Sequence, residues 1–449
     1  MSLSLETLKH KQICVLGLGK TGCAAVEFLK KNDVIVSIFD DNKELLEKVS
    51  KTYGVEKFTS QEIDLLFVSP GIPNNKVRQH HLIKSFSDKS IPIISDVEIF
   101  QAIHPNARYI GVTGTNGKST TVALINHILT KNKKERVKLC GNIGMPVLSV
   151  EEADIYIVEL SSFQIDLLKK PKLDISICIN ITPDHLDSYL NIDDYASSKA
   201  RIFSDNSLNI ISADYPLCKK IFSFLKYCIP MSTEKILHVG VSLIDGKLNI
   251  NNCLGVKGQM VYDVPHNHSL LGKYNAENIM SAVCACIAMD VSIENILESI
   301  ASFNGLPHRM ELILHDKQNN VVFINDSKAT NAVSTKAAFE AFKDQKIIWI
   351  AGGLCKDDGI ETLKDYFNIL EKVYLVGSSM DNFYLVLDEY GVTGIKSNTL
   401  ENALQDISNS MFENCVVLLS PACASTDQWK NFEERGNFFK ERVNDGFLS

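Results

Sequence analysis

The sequence predicts an α/β protein of three domains. The chain has 449 residues, and a typical domain of ~150 residues suggests about three hydrophobic cores. Short apolar runs alternate with helical patterns along most of the chain, as in parallel sheets covered by helices. Breaks in this pattern predict domains at residues 1–98, 99–305 and 306–449.

Composition limits the partners that this chain can have. The net charge is −8 and no cluster of Lys or Arg stands out, so we expect no nucleic-acid partner. No segment approaches the ~20 apolar residues of a membrane span. The twelve cysteines are scattered without a C-x-x-C pair, which indicates buried thiols in a reducing compartment. We therefore expect a cytoplasmic monomer that acts on small molecules, with no membrane partner.

The first domain opens with a glycine-rich turn, Gly17-Leu18-Gly19-Lys20-Thr21-Gly22, between an apolar run and a helical pattern. A second apolar run, residues 34–39, ends at Asp40. This is the pattern of a Rossmann unit, in which NAD is one possible ligand and Asp40 would bind a ribose. A third run, residues 65–68, leads into Ser69-Pro70-Gly71 at the edge where such folds bind ligands. An ordinary loop turn without a ligand would have the same sequence pattern. We expect a Rossmann-like domain that faces a phosphorylated ligand.

The second domain begins with another glycine-rich turn, between an apolar run at residues 109–112 and a helical pattern. Glycines let backbone N–H groups approach a phosphate, the helix N-terminus favours an anion, and Ser119 can bind Mg²⁺ beside Lys118. The spacing departs from the usual P-loop pattern, which would place a glycine where Val112 stands. An ordinary turn with a solvated lysine is the alternative. We predict a P-loop ATPase-like domain whose phosphate-binding residues are Gly114, Thr115, Asn116, Gly117, Lys118, Ser119 and Thr120.

Two further strands of this domain end in polar residues. Glu159 closes the run at residues 155–159, and His185 follows the run at residues 175–180. Because the carboxyl ends of parallel strands share one edge, both side chains can converge on the phosphate loop, where Mg²⁺ held by Ser119 and Glu159 would neutralise a triphosphate. A helix cap for Glu159 and a satisfied loop histidine for His185 remain alternatives.

The third domain again has the pattern of a doubly wound sheet, with strands predicted at residues 321–325, 347–350, 373–376 and 416–419. Lysines and hydroxyl groups follow several of these strands, including Lys328, Thr330, Lys356 and Ser425. They suit an anionic ligand such as a carboxylate, and solvated loop lysines would produce the same pattern. Asn278, near the start of an apolar helix, is equally suited to be a helix cap or a ligand-binding residue.

Six segments, taken together and in this order, resemble the signature series of the Mur ligases, the cytoplasmic enzymes that build the peptide of bacterial peptidoglycan. They are residues 113–120, 141–144, 159–164, 180–187, 305–309 and 325–331. The ending at residues 419–428, followed by Asn431-Phe432-Glu433-Glu434-Arg435-Gly436, is similar to the D-glutamate-adding branch of the family. The Asp-Asn-Pro-Arg stretch that marks the diamino-acid-adding branch is absent from the sequence.

The resemblance implies an ATP-dependent amide ligase that joins D-glutamate to UDP-N-acetylmuramoyl-L-alanine through an acyl phosphate, with two Mg²⁺ ions. It implies that the first domain holds the UDP end of the substrate rather than NAD. Asp41 and Asn42 stand there where an Arg would suit a uracil or phosphate contact. Because an acyl phosphate hydrolyses in water, we expect domain closure about hinges near residues 99 and 305.

The resemblance also implies roles for individual residues. Lys118, Glu159, His185 and Lys199 would be catalytic. Lys199 would be carbamylated, and would then bind metal together with Ser119, Glu159 and His185. Asn278, Arg309 and Asp326 would complete the ATP site. The nucleotide-sugar substrate would be bound by Lys20, Thr21, Asp41, Asn42, Ser69, Gly71, Asn142, Ser161 and Gln164, and D-glutamate by Lys328, Thr330, Lys356, Ser425 and Phe432.

Three alternative functions stay open from the sequence. A sister Mur ligase, or the related folylpolyglutamate synthase, would share the ATP site and differ in the amino acid. An NAD-dependent oxidoreductase would use Gly17, Gly19 and Gly22, but it leaves the phosphate loop unexplained. A non-catalytic nucleotide-binding module would bind ATP without releasing ADP.

Overall fold

The computed structural model describes residues 3–59, 62–75, 77–169, 171–355 and 359–447. The chain forms two compact units. One comprises Met1–Val264 and Glu277–Ile300, and the other comprises Pro265–Ala276 and Ala301–Ser449. None of the helices within the described ranges has the length and apolar composition that a membrane span requires.

The first sheet is parallel, with the strand order β3-β2-β1-β4-β5. The predicted Rossmann-like domain is confirmed, because the order of the strands reverses at β1 and the first glycine-rich turn follows β1 at this switch point. Asn42 caps the third helix, and Gly54 ends it in a left-handed conformation. The elements are α1 (Leu5–Lys9), β1 (Gln12–Leu16), α2 (Lys20–Lys31), β2 (Ile35–Phe39), α3 (Lys43–Tyr53), β3 (Glu56–Lys57), β4 (Leu65–Val68), α4 (His81–Asp88), β5 (Ile93–Ile94) and α5 (Asp96–Ile103).

The central sheet has the order β14-β13-β12-β11-β10-β9-β6-β8-β7. Its strands β6 to β12 run parallel, and β13 and β14 form an antiparallel extension. Strand β6 lies between β8 and β9, so the predicted phosphate loop, Glu159 and Asn180 come from three neighbouring strand ends. The elements are β6 (Arg108–Thr113), α6 (Lys118–Asn132), β7 (Val137–Gly141), β8 (Ile155–Glu159), α7 (Ser162–Leu167), β9 (Ile175–Cys178), α8 (Ile192–Ala200), β10 (Leu208–Ser212), α9 (Pro216–Phe222), β11 (Cys228–Ser232), β12 (Gly240–Ile244), β13 (Lys247–Asn251), β14 (Gln259–Asp263), α10 (Lys273–Ala288) and α11 (Ile293–Ala301).

The third sheet has the order β15-β16-β20-β17-β18-β19. The predicted Rossmann-like parallel core is present, and β15 adds an antiparallel edge that the sequence pattern did not predict. The elements are β15 (Glu311–Asp316), β16 (Val321–Asn325), α12 (Ala332–Ala341), β17 (Lys346–Gly352), β18 (Leu370–Val376), α13 (Met380–Glu389), β19 (Gly394–Asn398), α14 (Leu400–Ser408), β20 (Cys415–Leu419) and α15 (Phe432–Phe447).

The first two sheets share one hydrophobic core. Ile13 and Phe67 of the first sheet belong to the same buried cluster as Tyr109 and Tyr156 of the central sheet. Helix α5 runs through the predicted boundary at residues 98 and 99, and its Phe100 packs in this cluster. The domain limits that the sequence suggests therefore stay a prediction.

One element contradicts the sequence pattern. Residues 211–264 are predicted as short strands and turns, but α9 forms there at Pro216–Phe222. Proline at the first helical position and Leu217, Cys218 and Ile221 at helical spacing explain this helix, whose Cys218 is buried.

Candidate active site

The predicted phosphate loop joins the end of β6 to the start of α6. Gly114 and Gly117 have positive φ angles of 156° and 82°. A Cβ on Gly117 would collide with the side-chain oxygen of Asn278, which accepts a hydrogen bond from Thr121 Oγ1 at 3.0 Å. Buried Asn278 on α10 thus closes one side of the loop, while Ser119 and Thr120 lie in the first turn of α6.

Two lysine side chains meet at one backbone oxygen of this loop. Lys118 Nζ donates to the carbonyl oxygens of Gly114 and Thr115, both at 2.9 Å. Lys199 Nζ donates to the same Gly114 oxygen at 2.9 Å and to Thr113 Oγ1 at 3.4 Å. Burial, and next the charge of Lys118, lower the pKa of Lys199 to about 8. Because the two cations repel each other, an anion or a loss of charge on Lys199 is favoured here.

Asn180 holds the middle of the loop and was not predicted as a site residue. Its side-chain oxygen accepts hydrogen bonds from the backbone N–H groups of Thr115 at 3.1 Å and Asn116 at 2.9 Å. Its amide group donates to Glu277 Oε2 at 2.8 Å. Binding of a phosphate by these two loop N–H groups would require Asn180 to release them. The signal in the sequence was its position directly after a strand that neighbours β6.

Glu159 ends β8 with its side chain buried, at 1% exposure. One carboxylate oxygen, Oε1, accepts a hydrogen bond from Asn142 Nδ2 at 2.8 Å. The other, Oε2, is buried and has no hydrogen-bond partner within the described part of the chain. A buried carboxylate oxygen left in this way is costly unless a cation or donor binds it. The residues present therefore fit Mg²⁺, for which carboxylate oxygens are preferred ligands. No group of three or more His, Cys, Asp or Glu side chains in the described ranges is arranged to hold a metal.

His185 lies on the loop after β9 and adopts a positive φ of 53°. Its ring centroid is 5.1 Å from that of Phe163 and 6.4 Å from that of Tyr195. The ammonium group of Lys199 lies 4.7 Å from the centroid of the same Tyr195 ring. The structure therefore brings His185 and Lys199 to one aromatic side chain, which the sequence analysis did not single out.

Two predicted substrate residues form a helix cap. Ser161 Oγ accepts a hydrogen bond from the backbone N–H of Gln164 at 3.2 Å, and Gln164 Oε1 accepts one from the backbone N–H of Ser161 at 3.0 Å. This capping box fixes the start of α7 directly after Glu159.

The predicted residues of the first domain surround the switch point of its sheet. Ser69 Oγ donates to the Gly17 carbonyl at 2.6 Å, and Asp40 accepts a hydrogen bond from the Leu18 N–H at 2.7 Å. Asp41 pairs with His80 at 3.2 Å. Lys20 and Thr21 begin α2, and Gly71 is exposed on the neighbouring turn. Asp40 thus stabilises the glycine-rich turn, and Asn42 acts as a helix cap.

In the second unit, several predicted residues gather at the strand ends β16 and β20. Asp326 is buried and accepts hydrogen bonds from Ser420 Oγ at 2.8 Å and the Met310 N–H at 3.3 Å. Burial raises the pKa of its carboxyl group to about 7. Lys328 Nζ lies 4.1 Å from the ring centroid of Phe432. The structure places the other predicted residues as follows: Arg309 just before β15, Thr330 just before α12, Ser425 buried after β20, and Lys356 outside the described residues.

Comparison with known protein families identifies the family of this chain. The chain matches the Mur ligase middle domain at residues 112–286, the Mur ligase MurD-like N-terminal domain at residues 11–95, and the Mur ligase glutamate ligase domain at residues 308–423. The chain belongs to the Mur ligase family. It is therefore an ATP-dependent, ADP-forming ligase that uses Mg²⁺, and the oxidoreductase and the non-catalytic module are excluded.

Individual Mur ligases resemble this chain over nearly its whole length. The UDP-N-acetylmuramoylalanine–D-glutamate ligase of Rickettsia prowazekii is 37% identical, and the alignment covers 97% of this chain and 98% of the relative. The enzyme of the same name from Wolbachia pipientis is 35% identical, with 97% of each chain covered. Among solved structures, the MurF ligase of Thermotoga maritima in complex with ADP has a TM-score of 0.58 at 16% identity, with 99% of this chain and 97% of that chain covered. This likeness supports the fold of a Mur ligase.

Proposed function

We propose that this Mur ligase adds D-glutamate to UDP-N-acetylmuramoyl-L-alanine during the synthesis of peptidoglycan precursors. The observation that carries the proposal is its similarity to two ligases of that name, at 37% and 35% identity over nearly the full length of each chain. We place the reaction in the cytoplasm, because ATP is its energy source and buried thiols such as Cys140 and Cys178 suit a reducing compartment. We expect the protein to act as a monomer.

The first step is phosphoryl transfer to the alanyl carboxylate. A carboxylate oxygen attacks the γ-phosphorus, the bond between the β-γ bridging oxygen and that phosphorus breaks, and ADP leaves with the electron pair. Lys118 turns from its two loop carbonyls toward the phosphates, where its charge stabilises the transition state. The helix α6 directs its N-terminus at the same phosphates.

Mg²⁺ bound to ATP would neutralise phosphate charge and align the reacting groups. Ser119 and the unpartnered Oε2 atom of Glu159 would hold one ion. His185 and Lys199 would hold a second. Lys199 can serve only as a carbamate, because an ammonium group repels a cation, and its pKa of about 8 makes a reactive neutral amine accessible. Asn142 orients Glu159 through the hydrogen bond to Oε1.

The second step is amide formation. The amine of D-glutamate attacks the acyl carbon, giving a tetrahedral intermediate that loses phosphate with the electron pair, while the nitrogen gives up a proton.

The substrates would be bound by residues of all three domains. The amino acid would be bound by Lys328, Thr330, Lys356, Ser425 and Phe432, and ATP by Asn278, Arg309 and Asp326. The nucleotide-sugar end would lie along Lys20, Thr21, Asp41, Asn42, Ser69 and Gly71, and the muramoyl peptide near Asn142, Ser161 and Gln164.

The test replaces the lysine of the phosphate loop. We expect Lys118→Ala to lower ADP formation in the presence of both substrates by at least about 10²-fold, because a transition-state charge contact is lost. Circular dichroism and thermal unfolding should report an intact fold. The matched control is Lys131→Ala on the same helix, whose side chain pairs with Glu298 at 2.9 Å on the surface. Turnover by Lys118→Ala close to that of the control would contradict the proposal.

A further inference from the structure

The C-terminal helix α15 carries a buried guanidinium group that the proposed mechanism does not use. Arg435 is 2% exposed. Its Nε donates to Ser327 Oγ at 3.0 Å, and its Nη2 donates to the carbonyl oxygens of Ser327 at 2.8 Å and Cys423 at 3.1 Å. One side chain therefore ties α15 to the loop after β16 and the loop after β20.

These two loops carry the candidate amino-acid residues. Ser327 directly precedes Lys328, and Cys423 lies two residues before Ser425. Ser327 Oγ also donates to the carbonyl oxygen of Phe432 at 2.8 Å. Because Phe432 lies against Lys328, the bonds of Arg435 and Ser327 fix three of the proposed glutamate contacts relative to one another.

The residues that follow Arg435 on α15 also contact the strands β15 and β16. The carbonyl oxygen of Gly436 accepts a hydrogen bond from Asn325 Nδ2 at 3.1 Å, and a Cβ at Gly436 would collide with the ring of His308. One turn later, Lys440 Nζ donates to Glu311 Oε1 at 2.6 Å. The position of α15 is thereby fixed on β15 and β16.

The hydrogen-bond acceptors of Arg435 do not neutralise its positive charge. The acceptors of these three hydrogen bonds are a hydroxyl group and two backbone carbonyls, which carry no net charge. Burial lowers the pKa of Arg435 to about 10, so the group stays protonated near neutral pH. This fixed positive charge behind the loops, which the nearby carboxylate of Asp427 partly offsets, attracts a ligand with two carboxylates more than one with a single carboxylate.

We propose that Arg435 is a positioning residue for the amino-acid substrate, holding the loops of Lys328 and Ser425 in the geometry that binds a dicarboxylic amino acid. This inference rests on the proposed function, because it assigns those loops to D-glutamate. Arg435 acts through the loops and not by touching the substrate.

The test compares two arginines of the same helix. Arg435→Met keeps an unbranched apolar stem in place of the arginine stem and removes the charge and the donors. Arg442→Met is the matched control, because Arg442 is half exposed and pairs with Glu401 at 2.8 Å on the surface. Steady-state kinetics yields the KM for D-glutamate, the KM for ATP and kcat, and circular dichroism reports the fold.

We expect Arg435→Met to raise the KM for D-glutamate about tenfold or more, the effect of losing one hydrogen bond to a charged group. The KM for ATP should stay within about twofold, and Arg442→Met should resemble the wild type. Arg435→Lys keeps the charge without the fork of donors, so its KM for D-glutamate should fall between those of the wild type and Arg435→Met.

Two results would overturn the inference: a folded Arg435→Met with an unchanged KM for D-glutamate, or equal rises in the KM of every substrate. If Arg435→Met does not fold, Ser327→Ala replaces it in the same assay. This substitution removes the hydroxyl group that accepts the hydrogen bond from Arg435 Nε. An unchanged KM for D-glutamate in a folded Ser327→Ala would then overturn the inference. A wild type that ligates another amino acid contradicts the proposed function instead. The KM for that amino acid is then compared between the wild type, Arg435→Met and Arg442→Met to test the role of Arg435.

Discussion

Lys118 and Lys199 place two ammonium groups on the carbonyl oxygen of Gly114. This arrangement is unfavourable until an anion arrives or one charge is lost, and burial together with the charge of Lys118 lowers the pKa of Lys199 to about 8. In the proposed reaction, the charge on Lys118 stabilises phosphoryl transfer. At the scale of single residues, burial thus assigns opposite roles to two identical side chains.

Lys199 should react with carbon dioxide. Its neutral amine attacks the carbon, a nitrogen–carbon bond forms, the electron pair of one carbon–oxygen π bond moves to oxygen, and the nitrogen loses a proton to solvent. Because the pKa of about 8 lies below the ordinary lysine value, the neutral fraction and the carbamate should increase as pH rises through 8. Carbon-13 NMR with labelled bicarbonate should give a carbamate signal in the wild type. Lys199→Arg is the control, and a signal of equal strength in that variant would exclude this site.

The sequence predicts the strand-end residues well and their partners poorly. Glu159 follows from its place at the end of a buried apolar run. The surroundings of its two oxygens depend on the pairing of β7 with β8. Asn142, which follows β7, donates to one oxygen, and the other has no partner among the described residues. Asn180 and Arg435 were missed for the same reason, since their hydrogen bonds reach residues 64 and 108 positions away in the chain.

At the scale of elements, the phosphate loop is shaped by side chains from outside it. Asn180 after β9 accepts hydrogen bonds from two loop N–H groups, and Asn278 on α10 packs against Gly117. Thr115 Oγ1 donates to the Thr182 carbonyl at 3.1 Å. The loop therefore keeps its shape through contacts with neighbouring elements.

Asn180→Ala should weaken ATP binding. The substitution removes the side-chain oxygen that accepts from both loop N–H groups, while the Thr115 N–H keeps the main-chain carbonyl of residue 180 at 3.0 Å, so we expect a loss of about 0.5–1.5 kcal/mol in unfolding free energy. We also expect the KM for ATP to rise at least about tenfold, because loop geometry is lost. The control is Asn209→Ala, which removes a buried asparagine on β10 that donates to the carbonyls of Ser204 and Tyr227. It should lose stability without a change in the KM for ATP. Equal values of this KM in the two variants would contradict the role of Asn180.

Element type was predictable where burial on both faces imposes a continuous apolar run. Strands β4, β8 and β16 have the predicted limits, and each is fully buried. Strand β15 escaped prediction because five of its six residues are only partly buried, which weakens the apolar pattern. Helix α9 is short, and its start depends on a proline that equally suits a turn.

At the scale of the whole molecule, the proposed reaction divides its tasks between the two compact units. The first unit carries the phosphate loop, Glu159, His185 and Lys199. The second carries the loops that Arg435 ties to α15. The shared core of the first two sheets makes the domains proposed to bind the nucleotide sugar and ATP parts of one unit. In the proposed reaction, the choice of amino acid then belongs to the other compact unit.

The most direct test of the proposed function is a panel of amino acids. The protein is incubated with ATP, Mg²⁺ and UDP-N-acetylmuramoyl-L-alanine, and with D-glutamate, L-glutamate, L-alanine, L-lysine or diaminopimelate in parallel. ADP release and the mass of the nucleotide product are both measured. The proposed function predicts ADP release and a heavier product with D-glutamate only. Equal or faster ligation of another amino acid, or no product with D-glutamate, would contradict it.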